Sequence, residues 1–166
     1  MKKVTLILMV VLFIGCNQKK ATAQKPSYVD SLPKIEAVVT DFENVLSNEE
    51  EEQLTQTITD FEAKTTNEIA IVTVKSIAPY DDIFDYSLDL ANKTLVGKKD
   101  KNNGIMIVVC ASQRKIQIQN GDGIVSKLSN EQTDVILEQN IIPEFKEGKY
   151  YIGLKNGIAE IIKALQ

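Results

Sequence analysis

The side chains in this sequence that could do chemistry are mostly carboxylates and amides, and they concentrate in four predicted loops. These candidate ligands are Asp41, Asp81, Asp82, Asp100, Asn102, Asn103 and Asp122. Carboxylate and amide oxygens are the ligands that Ca²⁺ and Mg²⁺ take in proteins. Because ligand sites in α/β sheets form in loops beyond the strand ends, we expect several of these loops to share one end of a sheet and to bind Ca²⁺ or Mg²⁺.

Each of these loops also has an ordinary structural interpretation, since Asp and Asn are common in turns and at helix N-caps. Capping is the favoured role of Asp81 and Asp82, which precede a predicted helix. A solvated loop around Asp100, or a ligand-free turn at Asp122, is as well supported as cation binding. None of the loops has the spacing of an EF-hand. Cation binding is therefore a hypothesis for the group as a whole.

Composition excludes several other kinds of site. The 166 residues include no His and two Cys, so a Ser-His-Asp triad, a Cys-His dyad or a His-ligated metal cannot be built within this chain. Cys110 ends an apolar run and is predicted to be a small core residue. Residues 35–166 carry 13 basic and 22 acidic side chains, a net charge of −9. Such a surface repels nucleic acid, so no nucleic-acid partner is expected.

The first 15 residues have the organisation of a bacterial export signal. Three residues with two lysines precede an apolar run at 4–14, which is too short to span a membrane as a mature helix. The localisation that follows is the cell envelope, on its periplasmic side.

Two cleavage sites fit this signal. Residues 13–16 (Phe-Ile-Gly-Cys) resemble a lipobox, which favours a signal peptide over 1–15 and membrane anchoring through a lipidated Cys16. The alternative is signal peptidase cleavage after Ala23. Residues 16–34 are polar, contain two prolines and are predicted to form a tether.

Hydrophobic periodicity places the folded domain at 35–166. Helices are predicted from Ser47 to about 64, from Asp82 to about 93, from Ser129 until Pro143 stops the chain, and along the last residues. Strands are predicted at 69–74, 104–110 and 115–119, with a further short strand at 36–39. This order predicts a three-layer α/β/α sandwich, Rossmann-like, in which helices flank a small mixed sheet.

The domain resembles the TPM-domain family of bacterial envelope proteins and a thylakoid lumen acid phosphatase. The resemblance rests on an ordered set of short segments. These segments are residues 39–41, 45–47, 66–69, 98–104, 114–116, 121–123, 142–145, 148–150 and 153–154. The sequence differs from the family at two places. Asp122 stands between two glycines where the family often has an aromatic residue. Asn102-Asn103-Gly104 stands where the family often has Asp-Asn-Gly, and the nearest carboxylate, Asp100, comes two residues earlier.

The resemblance implies a Rossmann-like sandwich, binding of divalent cations, Ca²⁺ especially, and phosphatase activity in some members. The leading hypothesis is therefore an envelope module that binds Ca²⁺ or Mg²⁺ and acts through a protein partner that the sequence does not identify. The alternative is a metal-dependent acid phosphatase that acts on phosphate monoesters. In that case a metal activates water or acts as a Lewis acid, or Asp41 acts as the nucleophile.

Overall fold

The structure is a computed structural model that describes residues 27–97 and 100–166. The predicted signal peptide, the lipobox with Cys16 and the alternative site after Ala23 lie outside these residues. Within the two described ranges, no helix is long and apolar enough to cross a membrane.

One four-stranded sheet organises the domain, in the order β1-β2-β3-β4. The strands are β1 (Val39–Asp41), β2 (Glu68–Thr73), β3 (Gly104–Cys110) and β4 (Lys115–Asn120). The first three are parallel, whereas β4 returns from β3 as an antiparallel hairpin. We call the edge where β1 to β3 end the carboxyl edge, and the edge where they begin the amino edge.

Alternate residues of the strands face two separate hydrophobic cores. Ile71 and Ile107 belong to the larger core, beneath α1 (Asn48–Thr65) and α6 (Tyr150–Leu165). Val72, Val108 and Cys110 face the smaller core on the opposite side, beneath α2 (Ile83–Thr94). Every residue of β3 is buried, including Cys110, as expected of a central strand covered on both faces. The predicted three-layer sandwich is confirmed.

Local capping signals set where the helices begin. Ser47 and Ser129 each form a complete capping box, and the side chain of Asp82 accepts the backbone N–H of Phe84. These contacts satisfy backbone donors that the first helical turn leaves without partners. The predicted starts of the three helices are therefore confirmed.

Three predicted details were wrong. The first strand lies at Val39–Asp41 rather than 36–39. The glycine-flanked turn is a short helix, α3 (Asp122–Val125). Pro143 does not stop the third helix, because α4 (Asn130–Ile136) continues through a π-helical turn (Leu137–Ile141) into α5 (Ile142–Lys146). Proline is tolerated there because the first turn of a helix does not need its N–H.

The end of the predicted tether is part of the folded domain. Ser27–Ser31 form a 3₁₀ helix, and Val29 and Leu32 are each 6% exposed in the smaller core. The Lys93 ammonium, at the end of α2, donates hydrogen bonds to the carbonyl oxygens of Val29, Asp30 and Leu32 at 3.3, 3.0 and 2.8 Å. The packed chain therefore begins before residue 35.

Candidate functional site

Asp41 is a predicted ligand whose carboxylate is held by hydrogen bonds to the sheet and to the following loop. It ends β1 at the carboxyl edge, and its side chain is half-buried. One carboxylate oxygen accepts a hydrogen bond from the hydroxyl of Thr73, which is fully buried at the end of β2. The other oxygen accepts the backbone N–H of Leu46 at 2.8 Å. Strand and loop together therefore fix the orientation of this carboxylate.

A second carboxylate, Glu43, spans the carboxyl edge. Its backbone N–H donates to the Thr73 hydroxyl at 3.0 Å. Its side-chain oxygens accept the backbone N–H groups of Ala111 and Ser112 at 2.6 and 3.1 Å. Charge-assisted hydrogen bonds of this kind are stronger than neutral ones, so Glu43 ties the chain after β1 to the β3–β4 turn.

A third carboxylate, Glu51, reaches the same edge from the first turn of α1. Its partial burial and the nearby negative charge of Asp41 raise the pKa of Glu51 above its usual value. Such a shift means that the folded protein disfavours the ionised form of Glu51. Asp41 and Glu51 therefore form a like-charge pair that a cation would stabilise.

Asp81 and Asp82 lie at the start of α2, in the layer on the other face of the sheet. Asp82 is the N-cap of α2, as the capping interpretation predicted. The carbonyl oxygen of Asp81 accepts a hydrogen bond from the Lys115 ammonium at 3.1 Å. The exposed Asp81 also lines a shallow acidic pocket with Asp85 and Asp89 on α2.

The remaining predicted ligands lie at the amino edge. The Asn102 amide donates to a carboxylate oxygen of Asp122 at 3.1 Å, while Asp100 is exposed in the preceding turn. Asn103 is 4% exposed, and its amide donates to the Thr66 carbonyl oxygen at 2.6 Å and to the Asn67 side chain at 3.3 Å. Asn103 therefore joins the start of β3 to the loop before β2.

The two glycines around Asp122 have a packing role at the same edge. A Cβ atom on Gly121 would overlap the carbonyl oxygen of Asn102, and one on Gly123 would overlap the carbonyl oxygen of Lys101. Because they lack a Cβ, both glycines let the backbone after β4 approach the backbone of the turn before β3. The Gly123 N–H then donates to the Asn102 carbonyl oxygen at 3.0 Å.

The expectation of one shared edge was wrong. Asp41 ends a parallel strand and Asn103 precedes another, so the sheet holds them at opposite edges. Asp81 and Asp82 lie at neither edge but at the start of α2, which covers the face of the sheet with the smaller core. Among the residues that the structure describes, no three His, Cys, Asp or Glu side chains are arranged to hold a metal ion.

Sequence reasoning missed Glu43, Glu51 and Thr73 at the carboxyl edge. Glu51 stands in an acidic run that a helix start already explains, and Thr73 is part of a buried strand. The position of Glu43, two residues beyond Asp41, was the one signal that could have indicated it.

Comparison with known proteins identifies the family. The sequence profile described as the TPM domain matches residues 39–164. This chain belongs to the TPM-domain family. The match covers β1 to α6 and includes both edges of the sheet. The resemblance drawn from the short segments is thereby confirmed. No curated protein matches this TPM domain.

Solved structures have the same fold. The N-terminal domain of a P. gingivalis protein is 30% identical, with a TM-score of 0.71 over 77% of this chain and 81% of that one. The BA42 protein of the psychrophilic bacterium Bizionia argentinensis is also 30% identical, with a TM-score of 0.64 over 75% and 83%. The N-terminal domain of the Corynebacterium glutamicum cg2496 protein is 12% identical, with a TM-score of 0.62 over 81% and 84%, and shows the fold alone.

Proposed function

We propose that this TPM domain is an exported envelope module that binds a divalent cation, Ca²⁺ or Mg²⁺, at the carboxyl edge around Asp41. The observation that carries the proposal is the like-charge pair of Asp41 and Glu51, in which burial and, after it, the charge of Asp41 raise the pKa of Glu51. A dication beside this pair relieves the repulsion and supplies the counter-charge that hydrogen bonds cannot supply.

The geometry of Asp41 supports the same position. Thr73 and Leu46 each hold one of its oxygens, and a carboxylate oxygen has a second lone pair for a cation. A ligand held in place loses little conformational freedom on binding. Backbone carbonyls and water complete the six to eight oxygen ligands that Ca²⁺ takes.

The amino edge supports cation binding less well. Both of its carboxylates, Asp100 and Asp122, are exposed, and Asp122 is oriented by a hydrogen bond from the Asn102 amide, which is itself exposed. The amide of Asn103 is engaged with the loop before β2. We therefore assign Asp100, Asn102, Asn103 and Asp122 to the structure of the edge, and Asp81 and Asp82 to the start of α2.

Calorimetric titration of the purified protein with Ca²⁺ and with Mg²⁺ tests this proposal. Asp41→Asn keeps one acceptor oxygen but removes the charge, and we expect it to weaken binding at least tenfold. Asp122→Asn is the matched control at the amino edge and should bind as the wild type does. Saturation should raise stability by about 2.7 kcal/mol at a hundredfold excess over Kd. Absence of heat and of stabilisation at millimolar ion would refute the proposal.

Membrane attachment through a lipidated Cys16 is the second part of the proposal. The export signal and the lipobox support it, and the polar chain before Ser27 provides a spacer between membrane and domain. Labelling of growing bacteria with a radioactive fatty acid should mark the wild-type protein but not Cys16→Ala. Labelling of both, or of neither, would contradict the anchor. Pull-down from envelope extract would then identify the protein partner.

The alternative proposal is a metal-dependent acid phosphatase. It is favoured by the fixed orientation of Asp41 at the edge of a parallel sheet where ligand sites form in α/β folds. This activity predicts turnover of a chromogenic phosphate monoester that stops on addition of a chelator and in Asp41→Ala. Turnover that survives Asp41→Ala would assign the activity to another site or to a contaminant.

A further inference from the structure

A groove of about 460 Å³ lies between the β3–β4 turn and the turn that joins α5 to α6. Its apolar wall includes Val109 and Ile116 from the sheet and Ile142 from α5. Phe145 and Tyr150 also line it and stack edge to face, with 4.9 Å between ring centroids. The volume suits a small organic molecule.

Basic residues line the same groove. Arg114 and Lys146 are exposed, and neither side chain forms a hydrogen bond or an ion pair with the residues of 27–97 and 100–166. Lys115, which also lines the groove, donates to the Asp81 carbonyl oxygen. No carboxylate is among the described residues that line the groove. This is a basic, apolar site on a domain whose net charge is −9.

The conformation of Arg114 adds an independent observation. Its φ is 54°, in the left-handed region where Gly or Asn is less strained than a long side chain. An arginine at this position does not relieve the strain of the turn, and its exposed side chain is available to a ligand in the groove. Strained residues of this kind concentrate at functional sites.

The turn that carries Arg114 is also held firmly. Glu43 accepts the backbone N–H groups of Ala111 and Ser112, and the Arg114 N–H donates to the Ala111 carbonyl oxygen at 3.0 Å. The base of the arginine side chain is therefore positioned before any ligand arrives, which reduces the entropy that binding costs.

We propose that this groove binds a small organic anion with an aromatic or aliphatic body. The carboxylate of the ligand faces Arg114 and Lys146, and its apolar body packs against Ile116, Phe145 and Tyr150. Charge complementarity selects an anion, since two positive side chains would repel a cation and would gain no charge pairing from a neutral molecule. The groove shares no lining residue with the proposed cation site at Asp41, and Glu43 links the two through its hydrogen bonds to Thr73, Ala111 and Ser112.

Three ligands with the same phenyl ring and similar length test this proposal: 4-phenylbutyrate, 4-phenylbutanol and 4-phenylbutylamine. Each is titrated into the purified protein, and the amide NMR signals report both the dissociation constant and the location of binding. We expect the dissociation constant of phenylbutyrate to be about fivefold lower than that of the alcohol. This ratio corresponds to about 1 kcal/mol, the contribution of an exposed charge pair. The shifted signals should come from residues 109–116 and 142–150.

Charge variants then test the role of the two cations. Arg114→Gln with Lys146→Gln should remove the preference for phenylbutyrate, and Arg114→Glu with Lys146→Glu should reverse it in favour of the amine. Lys127 is an exposed lysine that follows α3, near the amino edge, and Lys127→Gln should not change the preference among the three ligands. Equal binding of all three ligands to the wild type, the absence of binding, or shifts confined to other residues would overturn the proposal.

Discussion

The contact between Lys93 and the N-terminal segment allows a quantitative prediction. Lys93 lies in the last turn of α2 and donates to three carbonyl oxygens, the shortest bond being 2.8 Å to Leu32. Lys93→Met keeps the apolar stem and removes the ammonium. We expect this substitution to loosen Ser27–Ser31 while the sheet and its other helices remain folded.

The expected loss combines two terms. A hydrogen bond from a charged group stabilises by about 1.5–3 kcal/mol. In Lys93→Met the freed carbonyl oxygens can bind water instead, so we expect a direct loss of about 1 kcal/mol. Val29 and Leu32 are each 6% exposed, and full exposure of one such side chain costs about 1.5–3 kcal/mol. Partial loosening therefore gives about 2 kcal/mol in total, or about 4–8 °C in Tm for a domain of this size.

Urea unfolding and amide hydrogen exchange measure this effect together. Lys64→Met is a matched control, because Lys64 is an exposed lysine in the last turn of α1, where it has the same position relative to the helix dipole. Lys93→Met should lower the urea midpoint and accelerate exchange near Leu32, whereas Lys64→Met should do neither. Equal midpoints for the two variants, with unchanged exchange near Leu32, would refute the reasoning.

Three further predictions follow from local geometry. Gly123→Ala should lower the free energy of unfolding in urea by about 1–3 kcal/mol, because the Cβ of the alanine would overlap the Lys101 carbonyl oxygen. An unchanged free energy of unfolding would contradict this close approach. Ser47→Ala should lower stability by about 1 kcal/mol through loss of the capping box, measured in the same assay. The pKa of Glu51 is higher in the folded state than in the unfolded state, so the folded state binds the proton of Glu51 more tightly. The free energy of unfolding therefore falls as pH rises from the unfolded-state pKa to the folded-state pKa. Glu51→Gln should therefore increase Tm at pH 7 and lose that advantage at pH 4; an equal effect at both pH values would contradict the like-charge pair.

Sequence reasoning succeeded where the signal is local. The capping boxes at Ser47 and Ser129 involve residues three apart, and the apolar run of β3 marks a strand covered on both faces. The end of the third helix was misplaced because the effect of Pro143 depends on the π-helical turn before it, which hydrophobic periodicity does not indicate.

The arrangement of the candidate ligands depends on strand direction. The alternation of strands and helices already implied parallel strands, and in such a sheet the last residue of β1 and the residue before β3 lie at opposite edges. The sequence alone could therefore have assigned Asp41 and Asn103 to opposite edges of the sheet. The roles of Glu43 and Glu51 could not, because they depend on how the chain after β1 meets the β3–β4 turn and on how α1 approaches Asp41 in the folded chain.

The most direct test of the proposed cation site uses Mn²⁺, which takes oxygen ligands as Mg²⁺ does and broadens nearby amide NMR signals. We predict that substoichiometric Mn²⁺ broadens the signals of Asp41, Leu46 and Glu51, and that excess Ca²⁺ reverses the effect. Signals at the amino edge, such as those of Asn102 and Gly123, should remain sharp. Broadening centred on Asn102 and Gly123, or spread evenly over the acidic surface, would contradict a cation site at the carboxyl edge.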